Sequence, residues 1–296
     1  MITLGSPVES PTAMAPALLL ALLLSQPKVV LYAAHGDMSE LESFDVSTWE
    51  PGHKLFIAVD QASMRTEPDE EATVLASLAL GTPVTVKRRL EPRVRMLDRV
   101  DHWYEIEAKR ADGSPVTGLV FGNLLTPLRF EADLDGDGEK ELATVTMTAD
   151  FKIRVRVMEP KLPPNQRVAS LDLRPAGDGP GGSVRAAFVD AKKAGVALLS
   201  VESIPEADVR SFRAFLSYVV PERQKGKLGA VRESLVLHER VDPPVVVRHK
   251  VTFKRKQRRL IAVETHKGEL KVGKTVKTRR VYQWKDGVYT LVPRKR

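Results

Sequence analysis

Runs of alternating apolar and polar residues, broken by glycine, proline or charged turns, recur from residue 53 to the end of the chain. Phe56–Val59, Val84–Val86, Trp103–Ile106, Gly118–Phe121, Leu142–Thr148, Arg259–Thr265 and Val276–Trp284 all follow this pattern. A side-chain period of two places one face of an extended strand toward a core and the other toward water, and no helix can use it. Val-rich stretches such as Val245–Val247 add β-branched residues, which favour pleated, half-buried surfaces. The expected fold class is therefore mainly β, with little helix. The segment 212–220 fits both a helical stripe (Phe212, Phe215, Leu216, Val219) and a strand (Phe212, Ala214, Leu216, Tyr218, Val220). Its neighbours favour the strand.

With 296 residues the chain exceeds one ordinary domain. It divides into residues 1–34, a leader; 35–52, an acidic, turn-rich linker; 53–127, a small barrel; and 128–296, a larger basic antiparallel β domain, built as a propeller fragment or a sandwich. The leader rests on the apolar run Ala15–Leu24, followed by Ser25-Gln26-Pro27 and by Leu31-Tyr32-Ala33-Ala34. An apolar core with small residues after it is the pattern of a secretory signal, and a start at Met14 gives it the usual length. Ten apolar residues are too few to span a bilayer, which takes about 20. The alternative for this run is a buried core helix. Cleavage is expected after Ala33 or Ala34, giving a secreted or periplasmic protein of the cell envelope with no transmembrane span.

Cysteine is absent, which removes disulfides, thiolate metal sites and a cysteine nucleophile. The six histidines show no His-Glu-x-x-His spacing, and neither a Gly-x-Ser-x-Gly elbow nor a phosphate loop is present. The chain is read as a binding protein rather than an enzyme. Residues 221–296 hold 22 Lys and Arg against 7 Asp and Glu, a net +15 that leaves the first 220 residues at −7. Such a cationic body attracts anionic polymers in general. The aromatic spacing of single-strand readers is missing, so no specific nucleic acid is expected. An intracellular polyanion-binding protein, acting through this basic domain, stands as the alternative function.

The sharpest local signal is Asp133-Leu134-Asp135-Gly136-Asp137-Gly138-Glu139-Lys140-Glu141. Carboxylates at positions 1, 3 and 5, a glycine at 6, a backbone carbonyl at Glu139 and a carboxylate at Glu141 make up an oxygen set suited to Ca²⁺. So many acidic groups in nine residues repel one another unless a cation neutralises them. Position 12, where an EF-hand needs its bidentate Glu, is Thr144, and the following residues alternate as a strand. Asp133, Asp135, Asp137, Glu139 and Glu141 are accordingly the expected ligands of a structural calcium ion; the alternative is an acidic surface turn that holds no ion. Phe188–Gly195 followed by Val196–Val201 reads as a degenerate echo of this loop and strand, with only Asp190 surviving, and suggests blade-like repetition.

Two stretches resemble known families. Ala62-Ser63-Met64-Arg65-Thr66-Glu67-Pro68, then Val74–Leu78, Gly81–Val84, Trp103-Tyr104 and Gly118–Val120, follow the order of the bacterial Src-homology-3 domain over about 70 residues. Leu119 stands where that family usually has Trp, and the insertion Arg88–Asp101 is longer than its usual loop. The resemblance implies a small barrel attached to an exported or cell-wall protein. Trp103 and Tyr104 are then candidates for an aromatic groove that takes a cell-wall peptide or glycan, or an envelope protein; core packing is the favoured role for Trp103, and Tyr104 is the better placed for contact. The acidic loop followed by a strand resembles the calcium loops of FG-GAP-type β-repeats.

Overall fold

The computed structural model describes residues 26–34, 44–46, 48–96, 99–110, 112–148, 152–176, 181–206, 210–220, 227–242, 245–268 and 275–293. The apolar run Ala15–Leu24 lies outside these residues. The chain is mainly β, in several antiparallel sheets, one of them curled.

Among the described residues, two short strands come first, β1 (Val30–Ala34) and β2 (Phe44–Val46). The barrel follows, built from β3 (Lys54–Ile57), β4 (Ala62–Arg65), β5 (Val74–Leu78), β6 (Pro83–Arg89), β9 (Trp103–Lys109), β10 (Pro115–Phe121) and β11 (Leu125–Thr126). Its strand order is β11-β3-β6-β9-β10-β4-β5, and a separate hairpin, β7 (Val94–Met96) with β8 (Arg99–Asp101), is inserted between β6 and β9. Alternation decides its interior: Leu55, Ile57, Met64, Val84, Val86, Tyr104, Ile106 and Val120 all point inward and are fully or almost fully buried.

A four-stranded meander comes next: β12 (Arg129–Ala132), β13 (Glu141–Met147), β14 (Ile153–Met158) and β15 (Val168–Leu173). The rest of the chain is a continuous antiparallel series: β16 (Gly181–Val189), β17 (Leu198–Pro205), β18 (Arg210–Val219), β19 (Ala230–Asp242), β20 (Val245–Lys254), β21 (Arg259–Lys267), β22 (Thr275–Lys285) and β23 (Val288–Leu291). The segment with ambiguous periodicity is β18, a strand. The β22–β23 turn places Asp286 at φ 49° and Gly287 at φ 89°, the left-handed pair that an Asp-Gly hairpin turn requires.

One face of β16–β19 packs on the four-stranded sheet. Val145, Val155 and Val157 from the small sheet meet Val184, Val201, Ala214 and Leu216 from the large one, which makes this half a sandwich. Farther along, the large sheet curls and buries its other face, where Phe215, Leu237, Leu260, Ala262, Tyr282 and Tyr289 cluster under a single helical turn, α1 (Ala191–Ala194).

Three sequence expectations change. Residues 30–34 are not a removable tail: β1 pairs with β16 (Val30 with Val184), and Val30 and Tyr32 are buried in the sandwich. Cleavage after Ala33 or Ala34 would remove both from the core. Residues 35–52 are not wholly linker either, because β2 pairs with β1 and Trp49, 1% exposed, fills the barrel. The barrel is thus inserted between the first strands and the sheet they join. Finally, Phe188–Gly195 does not repeat the acidic loop. Asp190 caps α1 by accepting from Lys192 N–H, and Gly195 ends the turn in the left-handed region.

Candidate functional site

The β12–β13 connection is the acidic loop. Gly136 and Gly138 sit at φ 89° and 97°, which lets the chain reverse within a few residues. The first aspartate organises it: Asp133 accepts from Gly136 N–H at 2.7 Å and from Gly138 N–H at 3.1 Å. Asp135 accepts from Asp137 N–H at 3.0 Å, and Asp137 from Glu139 N–H at 2.8 Å.

Asp133, Asp135 and Glu141 each bring an oxygen within 4.8 Å of the other two, spacing that fits one cation. Glu141 makes the group unlike a solvated acidic turn. It is 0% exposed, one carboxylate oxygen accepts from Leu134 N–H at 2.6 Å, and the other, Oε1, is buried with no hydrogen-bond partner. A buried ionised oxygen without a partner is costly, and a bound cation is the direct remedy. Burial pushes the Glu141 carboxyl up to about 7, with the charges of Asp135, Glu159 and Asp133 acting in the same direction. Burial also raises Asp135, helped by the nearby Asp137 and Asp133 charges.

Of the five expected ligands, Asp133, Asp135 and Glu141 come together through their side chains. Asp137 is exposed and next to Asp135, and the Glu139 side chain turns away to pair with Lys161. The sequence reading missed Glu159. Leu142 pairs with Met158, so Glu159 lies beside Glu141 one position beyond the pair, and burial together with the Asp135, Asp137 and Glu139 charges raises its carboxyl. Tyr218 of β18 holds Glu159 by a side-chain hydrogen bond while its hydroxyl accepts from Gly229 N–H at 2.7 Å. The hairpin register between β13 and β14 was the available signal.

Trp103 and Tyr104 do not form a groove. They lie on opposite faces, as alternation requires, but both faces are covered. Tyr104 is 0% exposed inside the barrel, where its hydroxyl accepts from Trp49 N–H at 3.2 Å. Trp103 packs edge-on to Phe121 at 5.5 Å, with Leu119, beneath Leu90, Val94 and Met96 of the insertion. The Arg-rich insertion therefore closes this corner of the barrel. At its last position is Asp101, 2% exposed, with Oδ2 unpartnered and its carboxyl pushed up to about 7 by burial.

The basic C-terminal residues divide by face. Arg248, Lys250 and Lys254 alternate outward along β20, and the β20–β21–β22 register aligns Lys250 with Val263 and Arg279. On the inner face, Glu264 is gripped by His249 Nε2 at 3.1 Å, by His266 and by Arg280 at 3.2 Å.

Among the described residues, no helix is long and apolar enough to cross a membrane. Compared with known proteins, the chain matches no family model, no curated protein and no solved structure.

Proposed function

We propose that this chain is an exported, non-enzymatic binding protein of the cell envelope whose β12–β13 loop is completed by a calcium ion. The observation that carries the reading is Glu141 Oε1, buried without a partner beside Asp133 and Asp135. All three grouped residues offer carboxylate oxygens, and hard cations such as Ca²⁺ take that set. When bound, the ion supplies positive charge that cancels the repulsion among the carboxylates and fixes the loop to β13.

Export is supported by the apolar run Ala15–Leu24. Because Val30 belongs to the core, the proposed cleavage lies upstream of it, and the N-terminal residue of the mature protein read by mass spectrometry tests this. The Src-homology-3 and FG-GAP-type resemblances belong to the same proposal, and so does contact between the outward basic face of β20–β22 and an anionic envelope polymer.

The decisive test is calcium-dependent melting of the whole chain. A ligand at about 100 times its Kd stabilises by about 2.7 kcal/mol, a shift of roughly 5–11 °C for a domain of 150–250 residues. Glu141→Gln keeps an acceptor for Leu134 N–H and loses the charge. It should retain the β-rich circular dichroism spectrum and lose the calcium shift. A wild-type melting temperature indifferent to calcium and chelator refutes the metal reading.

A further inference from the structure

A cleft of about 690 Å³ separates the acidic loop from the far end of the large sheet. Asp133 and Asp135 line one side; Tyr218, Arg232, Arg258 and Trp284 line the others. Two of the three grouped carboxylates therefore border the cleft, whereas Glu141 lies behind them, fully buried. A cation held in that group is backed by protein at Glu141 and meets the cleft on the Asp133–Asp135 side.

The opposite wall is built from fixed parts. Trp284 is half-buried and packs edge-on to Tyr289 at 5.1 Å, so its ring is held in place. Arg258 adopts φ 47°, a left-handed conformation uncommon for a residue with a side chain, and its carbonyl accepts from Trp284 N–H at 3.0 Å. That conformation ends the single 3-10 turn Arg255–Gln257 and fixes the start of β21. Gly195, the end of α1, leaves room for this arrangement: a Cβ there would come 2.5 Å from Arg255 O and 3.1 Å from Arg258 Cγ. Arg232 and Arg258 are exposed, and neither guanidinium has a carboxylate partner among the described residues.

We infer that the cleft binds a small sugar bearing a carboxylate or a phosphate, and binds it only with the cation in place. The inference rests on the calcium reading of the loop. Without the cation, Asp133 and Asp135 repel an anion; with it, the same wall attracts one. A planar guanidinium recognises carboxylate and phosphate oxygens through paired hydrogen bonds. The Trp284 ring offers flat contact area to a sugar, and the volume lies within the range of small-molecule sites. Because binding is coupled, the sugar must tighten calcium by the same factor as calcium tightens the sugar.

The test titrates glucuronate, glucose 6-phosphate and neutral glucose calorimetrically into the full chain, in calcium and in chelator, with melting followed in parallel. Calcium alone should raise the melting temperature. Glucuronate or glucose 6-phosphate should bind in calcium and at least tenfold more weakly in chelator, and the arm that binds more tightly identifies the anionic group. Glucose should not bind. The double variant Arg232→Gln/Arg258→Gln should keep the calcium shift and lose at least tenfold in sugar affinity. A calcium shift without anionic-sugar binding overturns this inference and leaves the calcium reading standing. Binding equal in chelator, equal for glucose or equal in the double variant also overturns it. Absence of any calcium shift overturns both.

Discussion

At the scale of single residues, neighbours rather than burial set Glu141 apart from other buried carboxylates. Asp101 and Glu141 are both pushed up to about 7, yet only Glu141 has acidic neighbours that a cation could join to it. Asp101 serves as a measure of what isolated burial costs. Its carboxyl titrates higher in the folded chain than in the unfolded one, where it lies near 3.9. The folded form therefore holds the extra proton, so the associated stability is complete below the unfolded value and is lost as pH rises through about 7. Asp101→Asn should raise stability at pH 8 by about 1–3 kcal/mol and have little effect at pH 4, measured by urea unfolding at the two pH values. A gain of the same size at both would mean that burial of the charge is not the cause. Asp133, Asp135 and Glu141 were legible in the sequence because ligand spacing is local. Glu159 was not, because it meets them only through hairpin register, and Tyr104 misled because alternation gives opposite faces without saying which is covered.

Among the elements, β1 shows how a strand can be misjudged. Leu31-Tyr32-Ala33-Ala34 has the small residues of a cleavage zone, and the same residues suit an edge of the sandwich core. Sequence pattern alone could not separate the two, since the partner strand β16 lies beyond the whole barrel. Val30 and Tyr32 are each almost fully buried, and a fully buried apolar side chain contributes about 1.5–3 kcal/mol. A chain beginning at Thr48 should thus lose several kcal/mol from the sandwich and expose the edge of β16 to self-association. Light scattering and melting of that truncation, against a chain beginning at Ser25, check both effects. Equal stability and a monomeric state in both would show β1 to be dispensable. By contrast, the β22–β23 hairpin was legible in full, because its Asp-Gly turn and its strand alternation are encoded within six residues.

For the whole molecule, the barrel and the sandwich are joined by polar contacts along a seam. Arg167, between β14 and β15, donates two hydrogen bonds to Asp60 at 2.8 and 2.9 Å, and Thr144 of β13 donates to Ala58 O at 3.1 Å. The Asp60 and Arg167 side chains are only 11% and 16% exposed. Burial raises Asp60, but the Arg167 hydrogen bonds and charge more than offset it and hold the carboxyl below its usual range. The contribution of the pair is therefore present above the unfolded value and is lost as pH falls through the lower folded one. Arg167→Ala should cost about 1–3 kcal/mol and speed amide exchange on both sides of the seam. Unchanged exchange at Ala58 and Thr144 would show that the seam is held elsewhere. The sequence announced two units, but not that one interrupts the other.

That interruption has a kinetic consequence. β1, the first of the described strands, finds β2 at once but cannot find its other partner, β16, until the whole barrel has been made, whereas every pairing within the barrel closes among residues 54–126. Contacts of long sequence separation form late because loop closure opposes them. The expectation is that the barrel completes itself while β1 waits for β16, with the sandwich the slower step. A route that keeps the chain unfolded until its full length has been delivered spares the waiting strand from wrong partners.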